Sequence, residues 1–392
     1  MPDRAETNPP LQPAEALYVH VPFCRRRCGY CDFYSVTGRE PGSYIRALAA
    51  ELQSRQTELA ERVRTVFLGG GTPTSLAEGD LAALMDVLAA PGRSAREFTV
   101  EANPTALAPP KLDRLVAGGV NRLSLGCQRF IKSQLATLGR SHTPADVRDS
   151  LARAERAGIG RRSLDLIYGV PGQSLASWRA SLGEALSLSI EHLSCYALSA
   201  EEGTPLGEAI LRGRLEPPCQ AQQEAMYFAA IELAAEAGLE QYEISNFAAP
   251  GAQCLHNRVY WRNEPYLGLG PAAASYIAGR RSCNTADLDA YLSALAAGKT
   301  PPASGERLTG LQAAAEGAML GLRLREGVNR EEFLGRYGVD FTEAFARTVD
   351  RYLRSGWLVV TPKSVVLAAD RQFQADTLLA DLIAEASLGD VR

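Results

Sequence analysis

Three cysteines, Cys24, Cys28 and Cys31, fall within eight residues at spacings of x3 and x2. They follow the apolar run Leu17-Tyr18-Val19-His20-Val21. A strand that ends in such a loop can curl it around one compact object. Thiolates at this density suit a soft metal or an iron–sulfur cluster. A closed tetrahedral zinc site needs four ligands, and no His or Cys follows closely enough to supply the fourth; the next cysteine is Cys127. Three cysteines on a four-iron cube leave one iron open for a substrate. The bland alternatives are a structural zinc site and a disulfide with a spare thiol.

The elements that must position these thiols are βα units. Short apolar runs at 17–21, 65–68, 98–101, 122–126, 163–168 and 192–198 alternate with helical patterns near 44–56, 78–89, 108–117, 144–157, 175–188 and 219–237. That alternation marks a parallel sheet. A closed eight-fold barrel runs to about 250 residues; here six units predict an open, partial barrel. Chemistry-bearing residues recur at the C-terminal strand ends, the face where parallel α/β folds place active sites. Gly69-Gly70-Gly71-Thr72 tops the second strand and lets a backbone approach a ligand closely. Glu101 ends the third, Gln128 follows the fourth, and Arg140 lies in Leu138-Gly139-Arg140-Ser141-His142. Asp165 sits inside the apolar fifth strand, where an unpaired carboxylate is costly. The competing reading for each is a cap of the next helix.

Composition excludes some classes. Hydrophobic content of 46% with 22% charged residues describes an ordinary globular chain. A net charge of −4 gives no global attraction to nucleic acid or an anionic membrane. No run of about 18 apolar residues predicts a membrane span. Residues 1–15 read as a polar, proline-rich loose tail rather than a signal peptide. Eight cysteines without a secretion signal indicate a reducing compartment, the cytoplasm.

The barrel is expected over residues 16–240. Residues 241–297, dense in aromatics, Gly and Pro, read as an extension that lines a pocket. The stretch 298–306, Pro/Gly/Ser-rich, reads as a boundary. Residues 307–386 then form a smaller unit: helices at 308–322, 330–337 and 342–355, a hairpin around Thr361-Pro362-Lys363, and a last helix at 370–386. That pattern looks like a winged helix without a basic bias, and fold alone does not fix function.

Cys-x3-Cys-x2-Cys after a strand resembles the radical S-adenosylmethionine (SAM) superfamily. The longer run Tyr18-Val19-His20-Val21-Pro22-Phe23-Cys24 with Tyr30-Cys31-Asp32-Phe33 is similar to the anaerobic coproporphyrinogen III oxidase family. Within it the chain looks most like the HemW branch of proposed heme chaperones. The resemblance implies a partial (β/α)6 barrel with a winged-helix-like C-terminal domain over its mouth. It also implies a [4Fe-4S] cluster on Cys24, Cys28 and Cys31, SAM on the open iron, and one-electron cleavage of SAM to a 5′-deoxyadenosyl radical. It places Tyr18, Tyr30, Gly70, Gly71, Thr72, Glu101, Gln128, Arg140 and Asp165 around the cofactors, with Arg140 meeting the carboxylate of SAM. True oxidases carry a further Cys two residues after the third cluster Cys, where this chain has Phe33, and a longer segment before the cluster strand. Both departures argue against coproporphyrinogen oxidation and for heme binding and delivery to acceptor proteins, respiratory ones among the candidates. An electron donor such as flavodoxin or ferredoxin and a homodimer are implied by the family alone. The alternatives are an active oxidase and a radical SAM enzyme with another substrate.

Heme iron needs an axial ligand. The run His256-Asn257-Arg258-Val259-Tyr260-Trp261 looks like the HNxxYW motif of that branch. His256 is therefore the candidate, with Tyr260 and Trp261 as flat faces for the macrocycle and Arg258 for a propionate. Cys254 is the rival ligand. The other reading is a histidine hydrogen-bonded within a packed loop.

Overall fold

A computed structural model describes residues 13–389. Most of the stretch read as a tail, residues 1–12, lies outside the described residues. Ala14, at its end, is buried and bridges Leu59.

Fifteen strands occur among the described residues: β1 (Ala16–Val21), β2 (Thr65–Gly70), β3 (Glu97–Ala102), β4 (Arg122–Gln128), β5 (Arg161–Tyr168), β6 (His192–Ala197), β7 (Glu240–Glu243), β8 (Asn246–Ala248), β9 (Tyr266–Leu269), β10 (Ala274–Ile277), β11 (Arg280–Asn284), β12 (Ala303–Arg307), β13 (Val328–Asn329), β14 (Leu358–Val360) and β15 (Ser364–Leu367). Strands β1 to β6 are parallel neighbours in chain order. Their crossovers are the helices Gly42–Ser54, Glu78–Val87, Pro109–Ala117, Pro144–Arg156 and Leu175–Leu186. Two of these start on a capping box, Thr143 with Asp146 and Ser174 with Ser177. The sheet order is β12-β11-β10-β9-β1-β2-β3-β4-β5-β6-β8-β7. β1 and β6 are not neighbours, so the barrel is partial, as six units require.

Side chains alternate across each strand. Val66, Leu68, Phe98, Val100, Leu123, Leu125, Leu164, Leu166 and Leu193 face the helices in one apolar core. The opposite face carries Glu101, Arg122, Ser124, Asp165 and Ser194, which line a cavity. Closed barrels fill that space with branched apolar side chains; here it is left as a polar chamber.

The extension after the barrel is tied down by Glu51 of the helix Gly42–Ser54. Its buried carboxylate accepts from the Gly270 backbone N–H at 2.8 Å, the Asn284 amide at 2.7 Å and the Tyr291 hydroxyl at 2.7 Å. A buried carboxylate survives only when its lone pairs are used in this way. The stretch read as a boundary contains all but the last residue of β12, which pairs with all of β11. All five β12 residues are exposed, so its polar sequence reflects a solvated sheet edge rather than a linker.

The C-terminal unit has its own apolar core, built from Ala314, Phe333, Phe341, Phe345, Val349, Val365 and Leu382 among others. Its sheet order, β13-β15-β14, combined with helices Gly310–Gly321, Arg330–Tyr337 and Ala346–Arg354, is that of a winged helix. Among the described residues none beyond Asn257 lines the cavity, so this unit supplies no wall to the chamber. It grips the helix Leu255–Trp261 and the turn that follows. Glu326 pairs with Arg258 at 2.8 Å and Arg262 at 2.8 Å, and Arg336 donates to the carbonyl of Arg262 at 2.7 Å. That helix closes the chamber from below, where Glu97, the first residue of β3, accepts from the N–H groups of Leu255 and His256, both at 3.1 Å.

Candidate functional site

The three thiols are carried by the loop that leaves β1. All are partly exposed and free of disulfides. The loop is pinned at both ends by backbone bonds: Cys24 N–H donates to Val36 at 3.0 Å and Gly29 N–H to Leu138 at 3.1 Å. Gly139, at a φ of +73°, lies against Gly29, and a Cβ there would meet the Gly29 nitrogen at 3.0 Å, so glycine lets the two loops touch. The Cys24 sulfur lies 3.7 Å from the Thr72 hydroxyl, and the Arg140 Nη1 donates to the Cys28 sulfur at 3.3 Å. Burial pushes the Cys24 thiol above its ordinary range and that of Cys31 up to about 11. An incoming metal must therefore displace protons from these two. Among the described residues no three His, Cys, Asp or Glu side chains close around a single ion.

The thiols line the mouth of a cavity of about 590 Å³, a size typical of small-molecule sites. Tyr30, Gly70, Gly71, Thr72, Glu101, Gln128, Arg140 and Asp165 line it with them. The β2 turn needs its glycines. Gly70 has a φ of +101° and a Cβ on it would strike the His20 ring at 2.6 Å. A Cβ on Gly71 would meet the carbonyls of Val21 and Phe23 at 2.8 Å. Gln128 stands at a register shift between β4 and β5 with a φ of 62°; such a bulge re-aims a side chain. The Arg140 guanidinium also donates to the Gly126 carbonyl, and its buried Nε has no partner.

Two carboxylates share the chamber. Asp165 accepts from the Ser124 hydroxyl at 2.9 Å and from Ser194. Burial raises its carboxyl above the usual range, with those hydroxyls working against the shift. Glu101 accepts from the Gly70 N–H at 3.2 Å. Burial first, and the charge of Asp165 second, push it up to about 7. Two acids held this way, beside a guanidinium with one N–H unpartnered, suit a ligand that is cationic at one end and carries a carboxylate.

Two expected residues fall elsewhere. Tyr18 is not in the cavity lining; its hydroxyl bonds His20 Nδ1 at 3.0 Å, and burial raises its phenol. His256 is fully buried beneath the chamber. Its Nδ1 bonds the Thr65 hydroxyl at 2.9 Å and its Nε2 the Tyr260 hydroxyl at 2.9 Å, so neither nitrogen is free for iron. Burial lowers its pKa to about 3, which keeps the ring neutral. Cys254 is buried as well, donating to Glu97 at 3.4 Å. Arg258 is committed to Glu326. Sequence reasoning missed Phe67, Arg122, Ser124, Ser194, Tyr196 and Asn257, all of which line the cavity. The signal was the period-two pattern: Arg122, Ser124, Gly126 and Gln128 share one strand face.

Residues 18–185 match the family described as the Radical SAM superfamily, and 308–368 match the HemN C-terminal domain. Among curated proteins the chain is 37% identical over 359 residues to the "Heme chaperone HemW" of Bacillus subtilis, covering 90% of this chain and 95% of that one. It is 35% identical over 378 residues to that of Mycobacterium tuberculosis strain H37Rv, covering 94% of each. It is 39% identical over 278 residues to the bovine mitochondrial "Radical S-adenosyl methionine domain-containing protein 1", covering 68% of this chain and 63% of that protein. Among solved structures, coproporphyrinogen III oxidase (HemN) from Escherichia coli superposes with a TM-score of 0.81 over 96% of this chain and 91% of that one, at 22% identity. That likeness carries the fold.

Proposed function

The chain belongs to the radical SAM superfamily and, within it, to the HemW branch, and from that membership we propose that it is a heme chaperone that holds a [4Fe-4S] cluster, SAM and heme and delivers heme to acceptor proteins. The observation that carries the reading is the meeting of three free thiols with Gly70, Gly71, Glu101, Gln128, Arg140 and Asp165 in one cavity. When bound, cluster and SAM together supply a one-electron route to the 5′-deoxyadenosyl radical. Cys24, Cys28 and Cys31 would ligate three irons. Arg140, with its unsatisfied Nε, would take the carboxylate of SAM. Glu101 and Asp165 would accept from its amino and ribose groups, and the bare backbone at Gly70 and Gly71 would allow its methionine end to approach.

Phe33 stands where the oxidases carry a further Cys, and it is 65% exposed at the cavity mouth. That position favours a heme carrier over an oxidase. Heme ligation by His256 is a proposal about a second conformation. The helix Leu255–Trp261 would first have to give up the Thr65 and Tyr260 bonds. An external one-electron donor such as flavodoxin or ferredoxin, a homodimer and a cytoplasmic location are further parts of the proposal. No described helix is long and apolar enough to cross a membrane.

The test is the ultraviolet–visible spectrum of anaerobically reconstituted protein with and without heme, run beside a coproporphyrinogen III turnover assay. A cluster band, a heme Soret band, transfer to an apo-acceptor and no porphyrinogen product support the reading. Turnover of coproporphyrinogen without stable heme binding would replace it with the oxidase.

A further inference from the structure

Arg140 and Arg122 share a feature: each lines the cavity with a buried Nε that has no hydrogen-bond partner. The family resemblance gives Arg140 a task and leaves Arg122 without one. Arg122 opens β4, is only 2% exposed and lines the chamber. Its acidic neighbours are engaged elsewhere. Glu97 pairs with Arg161 at 3.4 Å and caps the N–H groups of Leu255 and His256. Asp165 is held by Ser124 and Ser194, and Glu101 accepts from Gly70. A guanidinium carries five donors in a planar fork and stays charged. The Nε is sealed from solvent, so an acceptor in the chamber would meet the other donors of the fork, and a buried guanidinium gains from each donor it satisfies.

Asn257 supplies an amide to the same cavity from the helix below. We infer that Arg122 and Asn257 form a carboxylate-binding floor, which takes a substituent of a molecule other than SAM. A carboxylate matches the fork and carries one charge. A phosphate, with more charge, would stand against Glu101 and Asp165 in the same chamber. The inference rests on the proposed function only in assigning the upper cavity to SAM. It gives the HNxxYW-like motif a second role in this chain: His256 fastens the helix to β2, and Asn257 presents to the ligand. The carboxylate has two possible sources, a propionate arm of a tetrapyrrole or a free small acid.

The experiment uses reconstituted full-length protein with SAM occupancy measured first. Failure to bind SAM would sink the proposed function and is read separately. Hemin and its dimethyl ester are then titrated into wild type, Arg122→Gln, Arg122→Lys and Asn257→Ala, and propionate binding is followed by carbon-13 line broadening. Wild type should prefer the free acid over the ester by about tenfold or more, the worth of a charge-assisted fork. Arg122→Gln and Asn257→Ala should erase most of that preference, and Arg122→Lys should keep part of it. A response confined to propionate identifies a small acid as the source and still supports the floor. Arg122→Lys and Asn257→Ala keep the test standing if Arg122→Gln fails to fold. The inference is overturned by an unchanged acid-to-ester ratio with unchanged propionate binding, or by a loss that falls on SAM affinity instead.

Discussion

Replacing Glu101 by Gln should make the metal-free protein more stable at neutral pH while weakening SAM binding. Glu101 is drawn from an ordinary value of 4.5 to about 7 by burial and by Asp165. Ionising it is thus harder in the folded chain than in the unfolded one. The sign follows: its contribution to stability is greatest below pH 4.5, is lost as pH rises through 7, and is level above. The rise corresponds to about 3 kcal/mol, an upper bound because water in the chamber screens the charge. Gln keeps an oxygen for the Gly70 N–H and carries no charge to bury. Urea unfolding of metal-free wild type and Glu101→Gln between pH 5 and 8 should give curves that diverge with pH, the variant ahead by about 2–3 kcal/mol at pH 8. SAM affinity should follow the opposite order. If the ionised carboxylate accepts from the SAM amino group, wild-type affinity falls about tenfold per pH unit below 7, and the variant is weak and flat. Parallel unfolding curves, or a variant less stable at pH 8, would refute the argument. Stability withheld at a binding site is the expected trade-off.

Serine at Cys24, Cys28 or Cys31 should remove most bound iron and sulfide, whereas serine at Cys127, Cys195, Cys219, Cys254 or Cys283 should not; iron and sulfide assays decide. Asp165→Ala should reduce SAM affinity with near-normal iron content, read by equilibrium dialysis, and unchanged affinity there and in Arg140→Ala would place SAM elsewhere. His256→Ala should lower stability by about 2–4 kcal/mol, because it strands Thr65 and Tyr260 and leaves a void. His256→Gln should recover much of that, so a Soret band lost in both would mark ligation and one kept in Gln would mark packing. Glu51→Ala should cost about 2–4 kcal/mol and loosen 266–291, seen by hydrogen exchange, since three donors lose one acceptor.

The βα order, the thiol loop and the cavity residues Gly70, Gly71, Thr72, Glu101, Gln128, Arg140 and Asp165 were legible because strand ends, glycines and a charge inside an apolar strand leave local marks. The edge strand β12 was not, because a fully exposed strand has no apolar face to announce it. The chamber's floor was hidden for a different reason. Arg122 reads as an ordinary charged residue at the start of a strand, and only the fold brings it into one cavity with Asn257, a residue 135 positions on. His256 shows the limit from the other side. Its aromatic neighbours were visible, but Tyr260 one turn later and Thr65 on a distant strand take both of its nitrogens.

The helix Leu255–Trp261 is a party wall. Asn257 looks into the chamber, while Arg258 and Arg262 are held from the far side by Glu326 of the winged-helix unit. Seven residues thus stand between the chamber and the winged-helix unit. A ligand that shifts this wall by resting on it must also change the grip of the unit behind it. By reciprocity, whatever docks on that unit and moves Glu326 retunes what the chamber will hold, by the same free energy. A ligand that moved the wall would thereby be readable on the outer surface.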